Sequence, residues 1–219
     1  LFDTLSSYSL TVIPLFVLMG QVALHAGISR KLFDAAYHWV GFLPGGMAMA
    51  TVGACTGFGA ICGSGPATAA TMASVALPEM KRFNYSMQLG TGAVAAGGSL
   101  GMLIPPSVVF ICYAVLTEQS IGELFLAGIM PGLLIAALFA ITIWAQCKIH
   151  PKMGPVAPPI PWKAKFRSLL GVSETLLLFI LVMGGMFFGF FTPTEAAAIG
   201  AGGSLLVALF RKKLSFKVL

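Results

Sequence analysis

Residues 44–78 contain no charged side chain, yet the run is cut at its centre by Gly63-Ser64-Gly65-Pro66. Each half has about 15 residues, short of the ~20 apolar residues that a helix needs to cross a bilayer. Basic residues flank the run on both sides, Arg30 and Lys31 before it and Lys81 and Arg82 after it. Basic clusters of membrane proteins face the cytoplasm, so both ends of the run belong on one side. A re-entrant helical hairpin meets both conditions. Two short spans joined by an ordinary tight loop is the alternative that the pattern leaves open. Irregular backbone at membrane depth persists only where protein buries it or where it lines a cavity. The hairpin tip is therefore a candidate site.

The rest of the chain has the same character. Of its 219 residues, 58% are hydrophobic and 9% charged, against roughly 25% charged in a soluble domain. That excludes a soluble globule, a disordered chain and a disulfide scaffold, and the lack of short alternating strands speaks against a membrane β-barrel. The expected class is an all-α membrane protein, a multi-span helical bundle. Spans are expected at Tyr8–Ala26, Met87–Thr117, Leu124–Gln146, Leu169–Phe191 and Ala196–Phe210, with Lys148–Arg167 as a loop. Ile28–Leu43 mixes Arg30, Lys31, Asp34 and His38 with Leu32, Phe33, Trp39 and Phe42, as a helix lying in the membrane interface does. The formal net charge of +6 comes from short clusters between apolar runs. It is read as topology rather than as a nucleic-acid surface, so no nucleic-acid partner is expected. With Arg30/Lys31, Lys81/Arg82, Lys148–Arg167 and Arg211–Lys217 in the cytoplasm, every span direction agrees. Cys55, Cys62, Cys112 and Cys147 fit no metal-binding spacing. The chain opens at Leu1 without a Met and stops in mid-pattern at Leu219, so a longer protein is expected around it.

Two breaks carry the chemistry. At the hairpin tip, glycines leave carbonyls free, and Ser64, Thr68 and Thr71 add hydroxyl oxygens. Hard cations such as Na⁺ take oxygen ligands. A half-helix starting near Pro66 aims its positive end at the tip, which suits an anionic substrate group. The second break is expected across Gly97-Gly98-Ser99-Leu100-Gly101 and on to Pro105-Pro106, because proline removes amide donors. A Pro kink with glycine packing is the plainer reading of that stretch. A hairpin beside a discontinuous helix is the mark of secondary transporters. No ionisable residue lies deep in a span, which favours Na⁺ over H⁺ coupling. Thr194 with Glu195 reads as a helix cap. Gly53/Gly57, Gly97/Gly101, Gly128/Gly132 and Gly185/Gly189 read as close helix packing. No catalytic constellation is present, so an enzyme is not expected.

Seven segments follow the pattern of a known family in order. They are Ile13–Gly20, Leu43–Gly46, Gly63–Ala70, Ala76–Met80, Ala95–Ser107, Gly128–Gly132 and Phe191–Ala198. In these the chain resembles the large membrane subunit of TRAP (tripartite ATP-independent periplasmic) transporters over nearly its whole length. The resemblance implies an elevator-type permease of the bacterial inner membrane, built from two inverted repeats. It implies Na⁺-driven uptake of organic anions such as C4-dicarboxylates or sugar acids, with a periplasmic substrate-binding protein and a small membrane subunit as partners. Na⁺ is the coupling ion and no other cofactor is implied. Residues 1–43 are then a scaffold span with an interfacial arm helix. Residues 44–118 are part of the transport domain, with the hairpin at 44–80 and the broken helix at 87–117. Residues 119–168 are a span and cytoplasmic loop, and 169–219 are spans leading to a missing second repeat. Carried over residue by residue, the Na⁺ and substrate sites fall on Ser64, Gly65, Pro66, Ala67, Thr68, Gly97, Gly98, Ser99 and Gly101. Pro105 and Pro106 shape the break, and Ser64, Thr68, Gly97 and Ser99 are the expected Na⁺ ligands. On the residues alone, another ion-coupled carrier, a channel with a re-entrant hairpin and a purely structural scaffold stay open.

Overall fold

A computed structural model describes residues 8–158 and 160–210, all as helices, turns and loops. Asp3 and the basic cluster Arg211–Lys217 lie outside the described residues. After a 3₁₀ turn, Tyr8–Thr11, the helices are α1 (Val12–His25), α2 (Ile28–Val40), α3 (Gly46–Cys62), α4 (Gly65–Arg82), α5 (Met87–Leu103), α6 (Val108–Thr117), α7 (Ile121–Ile149), α8 (Trp162–Phe179) and α9 (Pro193–Phe210). A π-turn, Ile180–Gly184, and one more helical turn, Gly185–Phe187, extend α8.

Helix ends follow local chemistry. Gly45 and Gly63 bound α3 with φ of 74° and 64°, a left-handed conformation that glycine adopts without steric cost. Pro66 sits in the first turn of α4, where a missing amide hydrogen costs nothing. Ser120 caps α7 by accepting a hydrogen bond from the Glu123 amide at 3.4 Å. At α9 the cap is Thr192, not Thr194. The Thr192 hydroxyl accepts from the Glu195 amide at 3.3 Å, and the Glu195 carboxylate accepts from the Thr192 amide at 2.8 Å. This reciprocal pair is a capping box, and those hydrogen bonds hold the Glu195 carboxyl below its ordinary value.

Among the described residues, three helices or helix pairs are long and apolar enough to cross a membrane: Met87–Thr117, Ile121–Ile149 and Trp162–Phe187. A fourth results if α1 and α2, bent by 68° at Ala26-Gly27, count as one span. Two expectations change. The loop before α8 is shorter than Lys148–Arg167, because α7 runs to Ile149 and α8 begins at Trp162, which places Lys163, Lys165 and Arg167 on a helix. The glycine run Gly97–Gly101 does not break its helix. α5 stays helical to Leu103, and the only break between Met87 and Thr117 is Ile104–Ser107.

The core is the α3–α4 hairpin with α5 laid along both arms, and small residues set its spacing. A Cβ on Gly59 would stand 2.6 Å from the Gly101 Cα, and one on Gly98 would stand 2.6 Å from the Ala69 Cβ. α2 runs down α3, with Ala36 against Gly53 and Leu32 against Gly57. α1 meets the end of α3 where Gly20 faces Cys62, and α9 lies on α1 where Gly200 faces Met19. α7 and α8 turn Leu, Ile, Met and Phe side chains outward, Leu170 and Met130 among them at 73% and 77% exposed. Such faces suit contact with lipid.

One end of the bundle is laced by the loop after α7. The Gly45 amide donates to the Gly154 carbonyl at 3.2 Å, and the Ser86 amide to the Met153 carbonyl at 2.9 Å. The buried Tyr85 hydroxyl donates to the Pro155 carbonyl at 2.7 Å and accepts from the Met47 amide at 3.3 Å. That amide belongs to the first turn of α3, where no intrahelical acceptor exists. Nearby, Glu79 pairs with Arg30 at 3.5 Å and with Arg82 at 3.8 Å. Basic residues distant in sequence thus share one end of the molecule. Tyr85→Phe leaves the half-buried Pro155 carbonyl and a helix-terminal amide without their partner. The expected cost is about 1–3 kcal/mol, read as a lower melting temperature of the complete protein in detergent. An unchanged melting temperature would show that water replaces the hydroxyl at no loss.

Candidate functional site

The Pro105-Pro106 pair explains where α5 stops. Neither residue has an amide hydrogen, so the carbonyls of Gly101 and Met102 lose the donors that helix continuation would supply. The residue before a proline is driven out of the helical region, and Ile104 is extended accordingly. Ser107 repairs part of the loss. Its buried hydroxyl donates to the Met102 carbonyl at 2.5 Å and accepts from the Phe110 amide at 3.4 Å, which caps α6.

The hairpin tip sits on this break. The Val108 amide donates to the Gly63 carbonyl at 3.1 Å, so the start of α6 is bonded to the end of α3. A Cβ on Gly63 would stand 2.6 Å from the Pro106 carbonyl oxygen. On the other arm, the Ser64 carbonyl accepts from the Thr68 amide at 3.0 Å and from the Thr68 hydroxyl at 2.8 Å. Gly101 closes the gap from below, because a Cβ there would stand 2.7 Å from the Thr68 Oγ1 and 3.1 Å from the Ser64 oxygen. A Cβ on Gly65 would meet Met102 at 2.9 Å and the Gly98 oxygen at 3.1 Å. From the far side α7 supports the break, with Gly128 against the Leu103 oxygen and Gly132 against Ile104.

Four helix ends therefore converge. The C-termini of α3 and α5 present carbonyls, and the N-termini of α4 and α6 present amides. Each end carries about half a unit charge of its sign, so the junction offers a cation and an anion complementary partial charges with no ionised side chain. Ser64 stands at the N-cap of α4, yet its hydroxyl makes no capping bond. Thr68 is fully buried beside it.

Of the residues singled out from the sequence, Ser64, Gly65, Thr68, Gly98, Gly101 and Pro106 meet at this junction, with Pro105 buried next to them. Pro66 is exposed and Ala67 half-buried on the first turn of α4. Gly97 lies lower on α5, against Cys55 and Val52 of α3. Ser99 follows the hairpin-facing Gly98 by a 100° turn, is half-buried, and donates to the Ala96 carbonyl of its own helix at 2.7 Å. Gly63, Ser107 and Val108 also belong to the junction, although the resemblance carries no site role to them. The Ser that follows Pro105-Pro106 was the available signal, as an N-cap after a helix break.

Fold and junction together define a multi-helix bundle with helices long and apolar enough to cross a membrane, a helical hairpin seated on a broken helix. The family model of the DctM component of tripartite ATP-independent periplasmic transporters matches residues 1–219. The chain belongs to this family. It is 43% identical over 210 residues to the C4-dicarboxylate TRAP transporter large permease protein of Pseudomonas aeruginosa, covering 96% of this chain and 49% of that one. It is 38% identical over 216 residues to the isethionate TRAP transporter permease protein of Oleidesulfovibrio alaskensis, covering 95% and 33%. It is 34% identical over 206 residues to the sialic acid TRAP transporter large permease protein of Vibrio cholerae, covering 94% and 47%. The chain spans about half or less of the length of these curated relatives. They are transporter permeases and not enzymes.

Two predictions follow from the packing. Gly59→Ala forces α3 and α5 apart at the junction and costs about 1–3 kcal/mol. Gly92→Ala, on the open side of the same α5 with nothing within 4 Å, is neutral or gains about 0.5–1 kcal/mol. Equal melting temperatures for the two variants would remove the close-approach account. Ser107→Ala leaves the Met102 carbonyl and the Phe110 amide unpaired, at about 1–3 kcal/mol. Hydrogen exchange should rise first in α6, and uniform exchange across the fold would contradict a local role.

Proposed function

We propose that this chain is part of the large permease subunit of a Na⁺-driven secondary transporter that imports organic anions across the bacterial inner membrane. The convergence of four helix ends at an uncharged junction carries the reading. Carbonyl-rich helix ends coordinate Na⁺ while amide-rich ends receive an anion. The Ser64 hydroxyl, free of capping, and Thr68 with the Ser64 and Gly101 backbone are the proposed core of the ion site. Gly97 seats α5 on α3 below the site and Ser99 lies on the adjoining face of α5, Gly65, Pro66, Ala67 and Gly98 shape the substrate side, and Pro105 and Pro106 hold the break open.

The hairpin is re-entrant in this reading. Its tip stops at the α5–α6 break, while the 10 residues of α6 continue ~15 Å further. Its base carries Lys81 and Arg82 and is laced to the loop after α7, so that end faces the cytoplasm. The broken helix and the hairpin form half of an inverted-repeat transport domain that moves as an elevator against a scaffold containing α1 and α2. A periplasmic substrate-binding protein delivers the ligand and a small membrane subunit enlarges the scaffold. The ligands for which the three relatives are named, a C4-dicarboxylate, isethionate and sialic acid, are all organic anions, which supports that substrate class.

The test is thermal stability of the complete permease in detergent, titrated with NaCl against KCl at equal ionic strength. A ligand of the native state raises the melting temperature by mass action. The expected result is a saturable shift with Na⁺ only, lost in Ser64→Pro and reduced in Thr68→Val. Ser99→Ala separates the ligand sets, because it keeps the shift if the ion sits at the tip. Identical curves in the two salts would overturn sodium coupling.

A further inference from the structure

A cavity of about 290 Å³ lies where α2, α3, α7 and α8 come together beside the helix break. Thr56 and Ala60 of α3, Leu133 of α7, and Thr175 and Phe179 of α8 line it, and Ile104 of the break faces it too. Four helices and the break build its walls, so it is not the outer face of any one helix. Leu133 and Leu176, each 51% exposed, flank its mouth. One turn of a helix, ~10 Å across and ~5.4 Å long, fills about 400 Å³. No further helix of the permease enters a space of this size.

Two threonine hydroxyls interrupt an otherwise apolar lining. Thr56 donates to the Val52 carbonyl of its own helix at 2.9 Å, as Thr51, Thr91 and Thr142 do to the carbonyls four residues before them. Thr175 makes no such bond. Its side chain is 6% exposed and lines the cavity, and its hydroxyl has no hydrogen-bond partner among the described residues. A buried hydroxyl without a partner is costly. Thr175 follows the exposed Trp162 by 13 residues, ~20 Å along the helix. With Trp162 at headgroup level, the hydroxyl stands near the middle of a ~30 Å hydrocarbon core. A phospholipid carries its polar groups at the headgroup, so an acyl chain in the cavity leaves Thr175 unpaired.

We propose that this cavity binds one small neutral molecule, an apolar body of about two rings that carries a single hydrogen-bonding group, paired to the Thr175 hydroxyl. Size sets the body. A cavity of ~150 Å³ holds benzene, and this one has about twice that volume. Charge sets the rest. Among the described residues no ionisable side chain lines the cavity, so an ionised ligand would be stranded without a counter-charge. The site is thereby distinct from the junction, whose helix ends suit ions. A mostly apolar lining with one or two placed polar groups is the usual make-up of a small-molecule site. The inference rests on the membrane reading of the chain and not on sodium coupling.

The experiment is fluorine NMR of 6-fluoro-2-naphthol titrated with the complete permease complex in nanodiscs. Empty nanodiscs of the same lipid are the blank, since the probe also partitions into lipid. The wild type should give saturable line broadening that the blank lacks. Unlabelled 2-naphthol should compete, and 2-methylnaphthalene, the same body without the hydroxyl, should compete about fivefold less well. Thr175→Val should erase that difference by weakening 2-naphthol alone. Its melting temperature should not fall, because the hydroxyl holds nothing else in the protein. Leu133→Trp fills the cavity from its exposed side and should abolish binding. Leu138→Trp, exposed on the same helix and outside the lining, should keep it. No saturable signal above the blank, as when a side chain from the rest of the permease fills the cavity, would overturn the proposal. So would equal competition by the two naphthalenes, or binding unchanged in Leu133→Trp. None of these readouts involves Na⁺ or transport, so failure here leaves the transport reading standing.

Discussion

Everything at the centre of this protein depends on satisfying backbone polar groups where no water is available. A helix that stops inside an apolar layer leaves amides or carbonyls bare, and each bare group costs several kcal/mol in hydrocarbon. Here four helices stop at one level, and they pay for one another. The end of α3 takes the first amide of α6, through Gly63 and Val108. The Ser107 hydroxyl serves α5 and α6 at once. The Ser64 carbonyl is held by both donors of Thr68. Of these, the Gly63–Val108 bond joins the hairpin tip to the break, whereas Ser107 repairs the break locally and Thr68 serves the start of its own helix.

That approach is a matter of size. Gly59, Gly98 and Gly101 remove the side chains that would hold α5 away from the hairpin. Close backbone contact replaces the hydrophobic driving force that is missing between helices in lipid. Gly128 and Gly132 do the same for α7 on the far side of the break. The junction is thus enclosed by backbone on two sides and held by packing along the full length of α5, while its polar groups stay uncharged.

Much of this could be read from the residues in order. The hairpin, its tip and its basic ends rest on local signals: an uncharged run, a Gly-Ser-Gly-Pro interruption and flanking Lys and Arg. The Thr192-x-x-Glu195 spacing was also in plain view as a capping box, although Thr194 is the nearer hydroxyl. The glycine run of α5 misled because glycine weakens a helix in water by entropy and exposure, and both penalties fade where neighbours pack against every turn. Proline breaks the helix in any environment, since it has no hydrogen to donate. The direction of Ser99 depends on the phase of α5, which is unreadable until the break is located. The lacing by Tyr85, Met153 and Pro155 and the edge-on packing of Trp39 against Trp162 at 6.3 Å were out of reach. They join segments about 70 and 120 residues apart, and no local pattern announces them.

The lacing loop bears on how the protein can be altered. Surface loops between helices usually accept tags and insertions. Residues 153–155 do not behave as such a loop, because their carbonyls are bonded to the start of the hairpin and to the turn between α4 and α5. They act as a clasp that makes the hairpin, α5 and the end of α7 a single rigid unit. Room for a fluorescent domain, a split site or a longer linker in this loop is confined to the few residues between Ala157, whose amide still donates to the Gly41 carbonyl, and Trp162. Chimeras between relatives should exchange the loop together with the hairpin base rather than by itself.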